Sequence, residues 1–246
     1  LDISTLKEKE KELRNIINIA SVQNKKLLNF AHIVSHNLRS HSANFSMLLN
    51  FLESEEDEVE KNNIVSMLTK ASNNLLETLD NLNEVVSINT NTNIEIKEIN
   101  LYNKVVDVCQ NLSPFISNNK SKIENTIPAN FNIKAVPAYL DSIITNFITN
   151  AVKYRHPERG GHVILSAEKK EGYSILSIKD NGLGIDLDKY GEKLFGMYKT
   201  FHDHKDARGI GLYLTKNQID AMNGKVEVSS EVGKGTKFKI FFNEKN

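Results

Sequence analysis

The segment between positions 146 and 153 carries polar side chains at a spacing suited to holding a charged ligand. Asn146, Asn150 and Lys153 lie four and three residues apart in Pro137–Tyr154, a predicted helix with proline at its first position, so they share one face. An amide oxygen is a hard ligand suited to Mg²⁺, and a lysine ammonium adds a positive charge for phosphates. A plain polar helix face is the alternative interpretation of this segment alone.

A second chemical signal follows a predicted strand, Tyr173–Lys179. Asp180 comes directly after it, where a carboxylate can accept a hydrogen bond from an adenine amino group. Gly182 and Gly184 permit close approach of the backbone and positive φ angles. The same run of residues also fits an ordinary turn.

The third signal is a pair of glycines at the start of a predicted helix, Ile210–Met222. Gly209 and Gly211 open this helix, and its free N–H groups and positive end favour phosphate. Residues 195–208, just before it, are polar and without a clear period, which is typical of a functional lid or a disordered segment. The turn at Gly235 in the final hairpin fits a plain turn with or without a ligand.

Two regions of different character must position these residues. Residues 1–90 contain neither proline nor glycine, and their apolar residues recur at helical and coiled-coil-like spacings, interrupted by the polar run Glu53–Glu58. Two antiparallel helices cannot bury all these apolar residues within one chain, so a homodimer with a four-helix bundle is expected. The polar segment Asn89–Asn93 marks the predicted boundary to a second domain at 94–246.

Beyond that boundary the pattern alternates between helices and short strands. The predicted helices are Leu101–Leu112, Pro137–Tyr154 and Ile210–Met222. The predicted strands are Lys122–Ile127, Phe131–Val136, His162–Glu168, Tyr173–Lys179, Lys225–Ser230 and Thr236–Phe242. Together these elements predict a two-layer α/β sandwich with helices on one face of a sheet.

Composition narrows the function classes. Lys+Arg and Asp+Glu number 31 each, which argues against a broad basic surface for nucleic acid or anionic membranes. No stretch approaches the ~20 apolar residues of a membrane span, and no signal peptide opens the chain. A single cysteine cannot form an internal disulfide, so a reducing compartment is expected. The chain begins at Leu1, and we expect a cytoplasmic fragment of a longer protein.

Taken together and in this order, the segments of the second half resemble the N, G1, F, G2 and G3 boxes of the GHKL ATPase superfamily, which includes gyrase, Hsp90, MutL and histidine kinases. The resemblance covers about residues 94–243 and implies binding of ATP with Mg²⁺. By that resemblance Asn150 holds the metal, Asp180 binds adenine and Tyr154 lies near the base. The full nucleotide-binding set that it implies is Asn146, Asn150, Lys153, Tyr154, Asp180, Gly182, Gly184, Lys199, Gly209, Gly211, Leu212 and Thr236.

The first half adds a candidate phosphate acceptor. Phe30-Ala-His-Ile-Val-Ser-His36-Asn-Leu-Arg39-Ser40 resembles the H box of the HisKA dimerisation and phosphotransfer domain. A neutral imidazole nitrogen is a competent nucleophile. The resemblance implies a sensor histidine kinase of a two-component system, in which phosphorylated His36 passes its phosphoryl group to an aspartate of a response regulator receiver domain. The catalytic set it implies is His36, Asn37, Arg39 and Ser40.

Three positions depart from the pattern of that family. The residue after the acceptor is usually acidic, and Asn37 cannot take a proton as a carboxylate can. His41 stands where proline is common, so the helix loses a kink. Ser40 replaces the threonine or asparagine that positions water for phosphatase action, although a serine hydroxyl can also hold such a water. An ATP-binding dimer biased towards phosphatase or scaffolding action, with weak kinase activity, is therefore the alternative function.

Two further alternatives are a metal site, for which the sequence offers two candidate clusters, and an ATPase that drives conformational change. His32 and His36 are four residues apart, as metal ligands on a helix can be, but Ile33 stands where a zincin needs glutamate. A second candidate metal cluster is His202, Asp203, His204 and Asp206. An ATPase that hydrolyses ATP to drive conformational change needs a catalytic glutamate one turn before the metal asparagine, and Asn146 stands there instead.

Overall fold

The computed structural model describes residues 3–90, 95–196 and 210–244. The chain forms two compact units, Leu1–Leu82 and Asn83–Asn246. The first is helical and the second is mixed α/β, which confirms the predicted fold class of a helical domain followed by an α/β sandwich. None of the helices within these described ranges combines the length and the apolar character that crossing a membrane requires.

Two long helices begin the chain. Helix α1 spans Ile3–Ser54 and helix α2 spans Glu58–Thr90, so their three-residue connection lies inside the predicted polar break. The side chain of Asp57 shapes the start of α2, because its Oδ1 accepts from the N–H groups of Val59 and Glu60 at 2.7 and 3.1 Å. An aspartate that caps otherwise unbonded N–H groups is a strong signal for a helix start.

The two helices pack antiparallel near this connection. A small apolar cluster joins Leu48 of α1 to Ile64 and Ala71 of α2. Further from the connection, His41 Nε2 lies 3.3 Å from Thr78 Oγ1. Many large apolar side chains of both helices stay exposed in the single chain: Leu13, Ile16, Ile17, Ile19, Leu28, Leu38, Met47, Leu49, Phe51, Val59, Val65, Met67, Leu76 and Leu79.

In the described part of the α/β unit, seven strands form two sheets. They are β1 Lys97–Asn100, β2 Ser121–Asn125, β3 Asn132–Ala135, β4 Gly161–Lys170, β5 Tyr173–Asp180, β6 Lys225–Glu231 and β7 Gly235–Asn243. The main sheet has the order β2-β4-β5-β7-β6, with β2 and β4 parallel and the other neighbours antiparallel. β1 and β3 form a separate antiparallel pair.

Helices cover the main sheet and share its core. They are α3 Leu101–Asn111, α4 Ser113–Asn118, α5 Pro137–Lys153, α6 Leu187–Tyr190 and α7 Gly211–Ala221. In this core Phe147 of α5 packs against Phe238 of β7 with ring centroids 4.6 Å apart. The buried side of α5 is apolar, and polar residues such as Asn146 and Asn150 are only half-buried.

The sequence prediction missed β1, α4 and α6. β1 and α6 have four residues each and α4 has six, too few for a hydrophobic period to be recognised. The predicted strand Phe131–Val136 does form, as β3, but it pairs with β1 and not within the main sheet. β3 lies in this separate two-stranded sheet because its partner is β1, a strand that was not predicted from the sequence.

Candidate functional site

A row of hydrogen-bonded side chains runs along the polar face of α5. Asn150 Nδ2 donates to Asn146 Oδ1 at 3.2 Å, and Asn146 Nδ2 donates to Thr215 Oγ1 of α7 at 2.7 Å. Because Asn150 uses its amide nitrogen here, its amide oxygen is the atom left for a hard cation. Thr215 is buried, and it was not predicted as a site residue from the sequence. Its position one turn after Gly211 is the signal that could have found it.

Gly211 begins α7 and lies against this row. A Cβ atom at Gly211 would stand 2.3 Å from Asn146 Oδ1, so a side chain would displace the amide that Asn150 contacts. The residue before it, Ile210, is the N-cap of the helix and has no polar side chain to bond the first-turn N–H groups. These N–H groups, together with the positive end of the helix dipole, can bind a phosphate.

Asp180 ends β5 and lies between two loops. Its Oδ1 accepts from the N–H of Gly182 at 2.8 Å and from the N–H of Thr236 at 3.2 Å. Both bonds end on one oxygen, which leaves Oδ2 to accept from a ligand. Burial raises the pKa of the Asp180 carboxyl group, and the two backbone donors offset only part of that effect. A buried carboxyl group with a perturbed pKa is typical of a functional site.

The loop after Asp180 packs tightly against the β6–β7 turn. Gly184 has a φ of +69°, and a Cβ atom there would stand 2.0 Å from the backbone oxygen of Glu231, so both conformation and space require glycine. The N–H of Gly233 donates to the oxygen of Leu183 at 2.7 Å. The two loops therefore form one wall of the candidate site.

Thr236 is buried at the base of this wall. Its Oγ1 lies 2.8 Å from Ser230 Oγ, which also accepts from the N–H of Ile185 at 2.8 Å. Ser230 thereby links the loop after Asp180 to the hairpin. Sequence analysis placed Ser230 only at the end of a strand, where no motif distinguished it.

Tyr154 ends α5 and connects this helix to the same wall. Its backbone oxygen accepts from the N–H of Leu183 at 2.9 Å. Burial raises the pKa of its half-buried phenol group. Lys153 Nζ lies 5.7 Å from the centroid of the Tyr154 ring, within reach of a cation–π interaction.

Arg159, in the loop between α5 and β4, was also missed from the sequence. Its guanidinium group donates to the backbone oxygens of Asn181 and Gly182 at 3.0 and 3.3 Å, and to that of Gly233. All three acceptors are backbone oxygens, which every residue has. These bonds therefore could not be predicted from complementary side chains in the sequence. Arg159 joins the loop after Asp180 to the β6–β7 turn.

The structure thus brings most of the predicted nucleotide-binding set together in the α/β unit. Leu212 lies in the first turn of α7 and packs, half-buried, against the core. Lys199 and Gly209 lie outside the described residues, as do positions 197–208 of the predicted lid and the possible metal cluster at 202–206.

The candidate phosphate-acceptor residues lie on α1. His36, Arg39 and Ser40 are exposed and Asn37 is half-buried. Asn37 Nδ2 is enclosed yet has no hydrogen-bond partner within the described part of the chain. His32, one turn earlier, is exposed as well. Across the described ranges, no three His, Cys, Asp or Glu side chains are grouped so that they could hold a metal ion.

Sequence comparison identifies relatives among ATPases and sensor kinases. Residues 135–246 match the sequence model of the histidine kinase-, DNA gyrase B- and HSP90-like ATPase family. The autoinducer 2 sensor kinase/phosphatase LuxQ of Vibrio parahaemolyticus is 27% identical over an alignment of 256 residues. This alignment covers 97% of this chain and 29% of LuxQ. The chain spans 29–30% of the length of the curated relatives that it matches along most of its own length.

Comparison with solved structures finds the same fold in histidine kinases. The histidine kinase AdeS of Acinetobacter baumannii has a TM-score of 0.69 at 20% identity, covering 86% of this chain and 98% of AdeS. Histidine kinase ThkA, solved in complex with the response regulator protein TrrA, has a TM-score of 0.69 at 16% identity, covering 99% of this chain and 67% of ThkA. The chain therefore shares its fold with these two histidine kinases, and its residues 135–246 match the model of the histidine kinase-, DNA gyrase B- and HSP90-like ATPase family.

Proposed function

We propose that this chain is the catalytic core of a sensor histidine kinase that transfers the γ-phosphoryl group of ATP to His36 and then to an aspartate of a response regulator. The observation that carries the proposal is an exposed histidine on a long helix in a chain whose residues 135–246, which include Asn150, Asp180 and Gly211, match the model of an ATPase family. The neighbour ThkA was solved with a response regulator protein, which supports a partner of that class.

In this proposal the site residues divide between the two ends of the nucleotide. Asp180 Oδ2 accepts from the adenine amino group, with Tyr154 near the base. The N–H groups at Gly211 meet the phosphates. The amide oxygen of Asn150 suits Mg²⁺, which when bound would neutralise phosphate charge. The bonds from Asn150 to Asn146 and from Asn146 to Thr215 fix the orientation of that amide before any ligand arrives.

The transfer itself needs a nucleophile and little further covalent chemistry from the protein. The unprotonated ring nitrogen of His36 attacks the γ-phosphorus, so a P–N bond forms as the P–O bond to ADP breaks. The ring is then cationic, and it releases the proton of its other nitrogen. Asn37 cannot take this proton because an amide is not a base at neutral pH, so the proton leaves to solvent.

Replacement of His36 tests the acceptor. In His36→Gln, incubation with γ-labelled ATP should leave at least ~100-fold less acid-labile label on the chain, because the amide is no nucleophile. His32→Gln is the matched control, since His32 is an exposed histidine one turn earlier on the same helix, and it should label normally. Asn150→Ala should label poorly despite an intact His36. Acid-labile label that persists in His36→Gln contradicts the assignment.

Asn37 sets the balance between this function and its alternative. A core with weak kinase activity, biased towards phosphatase or scaffolding action, would suit an acceptor that lacks a neighbouring base. LuxQ is described as a kinase/phosphatase. Asn37→Asp should raise the initial rate of His36 labelling about tenfold, since a general base typically contributes 10²–10⁴-fold. Asn37→Ala is the control without a base. An Asp variant no faster than the Ala variant would show that proton removal does not limit the rate.

We further propose that the helices form a homodimer, because so many of their large apolar side chains are exposed in a single chain. Light scattering should give twice the chain mass of 27.8 kDa. Leu49→Glu places a charge among these apolar side chains and should lower the measured mass towards that of one chain. Asn50→Glu, at the adjacent exposed position, should leave the mass unchanged. A wild-type chain that scatters as a monomer at all concentrations rules the dimer out.

The raised pKa of Asp180 predicts how nucleotide binding depends on pH. The ionised carboxylate accepts from the adenine amino group more strongly than the neutral acid does, so affinity should be full above the raised pKa and fall as the pH drops through it. This loss should begin at a higher pH than for an ordinary aspartate. Calorimetric titration with ADP from pH 8 to pH 5 measures it, with Asp180→Asn as the control for titration of the ligand's own phosphates. The ratio between the two Kd values should shrink as the pH falls, and a constant ratio contradicts this role.

A further inference from the structure

The two loops around Asp180 are bonded from opposite sides by opposite charges. The Asp180 carboxylate accepts from the N–H groups of Gly182 and Thr236. The Arg159 guanidinium group donates to the backbone oxygens of Gly182 and Gly233. Gly182 is therefore bonded through its N–H by Asp180 and through its oxygen by Arg159. The β6–β7 hairpin is bonded by the same two side chains.

We propose that Arg159 is a positioning residue that sets adenine recognition by holding the backbone donors of Asp180 in place. This proposal rests on the proposed binding of ATP at Asp180. The direction in which Asp180 Oδ2 points follows from where Oδ1 is bound. Oδ1 is bound by one N–H group from the loop after Asp180 and by one from the start of β7. Arg159 joins that loop to the β6–β7 turn, two residues before β7 begins, through their backbone oxygens.

The residue type fits this role. A guanidinium group is a rigid planar fork with five N–H donors and a permanent charge, so one side chain can reach acceptors on two loops. A lysine ammonium has a single nitrogen and cannot span them in the same way. Bonds from a charged donor are stronger than those between neutral groups, which suits a residue whose partners are all neutral backbone oxygens.

Arg159 is also separate from the elements that stabilise the unit as a whole. It is exposed and lies outside the apolar core, which α3, α5, α7 and the sheet form without it. In its absence the loop and the hairpin are still joined by the backbone bond from Gly233 to Leu183 and by Ser230 Oγ, which accepts from the N–H of Ile185. Loss of the guanidinium group should therefore loosen the donors of Asp180 and leave the fold intact.

The experiment compares ADP with GDP, because guanine has an oxygen where adenine has the amino group that Asp180 recognises. By calorimetry on the full chain, Arg159→Ala should raise the Kd for ADP about tenfold and the Kd for GDP less than about twofold, since a site built to bond a donor discriminates through that bond. Arg159→Lys should give an intermediate loss for ADP.

Arg155→Ala is the matched control. It removes the same charge from the same loop, but within the described residues the hydrogen bond of Arg155 is to the backbone oxygen of Val152 at the end of α5, at 3.1 Å. It should keep the wild-type affinity for ADP within about twofold. All seven tyrosines lie after position 100, so near-ultraviolet circular dichroism of tyrosine reports whether the α/β unit of each variant is folded.

Combination with Asp180→Asn tests whether Arg159 acts through Asp180. In that background Arg159→Ala should cost little further affinity for ADP, because coupled residues are not additive. Equal losses for ADP and GDP, additive losses in the double variant, or an Arg159→Ala variant that matches Arg155→Ala would each overturn the proposal while leaving ATP binding in place. A wild-type chain that binds neither nucleotide, or an Asp180→Asn variant that binds ADP normally, would overturn the proposed function and this inference with it.

Discussion

The proposed nucleotide site depends on a partly buried carboxylate at the end of a central strand. β5 has a neighbour on each side in the main sheet, and its last residue, Asp180, is half-buried. Burial of a carboxylate is costly unless hydrogen bonds compensate, and each bond to an ionised group is worth roughly 1.5–3 kcal/mol. The available donors are N–H groups of Gly182, in the loop after β5, and of Thr236, at the start of β7, and their convergence on one oxygen brings the loop and the hairpin together. The stabilisation of one charge thus determines the shape of the wall around it.

The order of elements was predictable from the sequence because its signals are local. Absence of glycine and proline over 1–90 predicts long helices, and the polar run Glu53–Glu58 predicts the break between them. Alternating apolar residues predict the longer strands, while Asn150 lies in a predicted helix, Asp180 follows a predicted strand and Gly211 lies at the start of a predicted helix. Short elements such as β1 carry no period and could not be found.

The contacts that complete the site were less predictable because they are tertiary. Thr215 holds Asn146 from a different helix, and Arg159 binds only backbone oxygens. A backbone oxygen is present at every position, so neither the identity nor the spacing of its partner is constrained in the sequence. Gly211, in contrast, was predicted from the sequence as a phosphate-binding residue. The structure adds a second reason for glycine there, because a side chain would collide with Asn146.

The contact between His41 and Thr78 joins α1 to α2 through polar side chains. His41 Nε2 lies 3.3 Å from Thr78 Oγ1, whose hydroxyl group also lies 2.8 Å from the backbone oxygen of Asn74. The helix pair therefore has a polar link in addition to the apolar cluster around Leu48. A histidine at this position also keeps the main-chain N–H that a proline would remove, so the helix that carries His36 continues with its hydrogen-bond ladder unbroken.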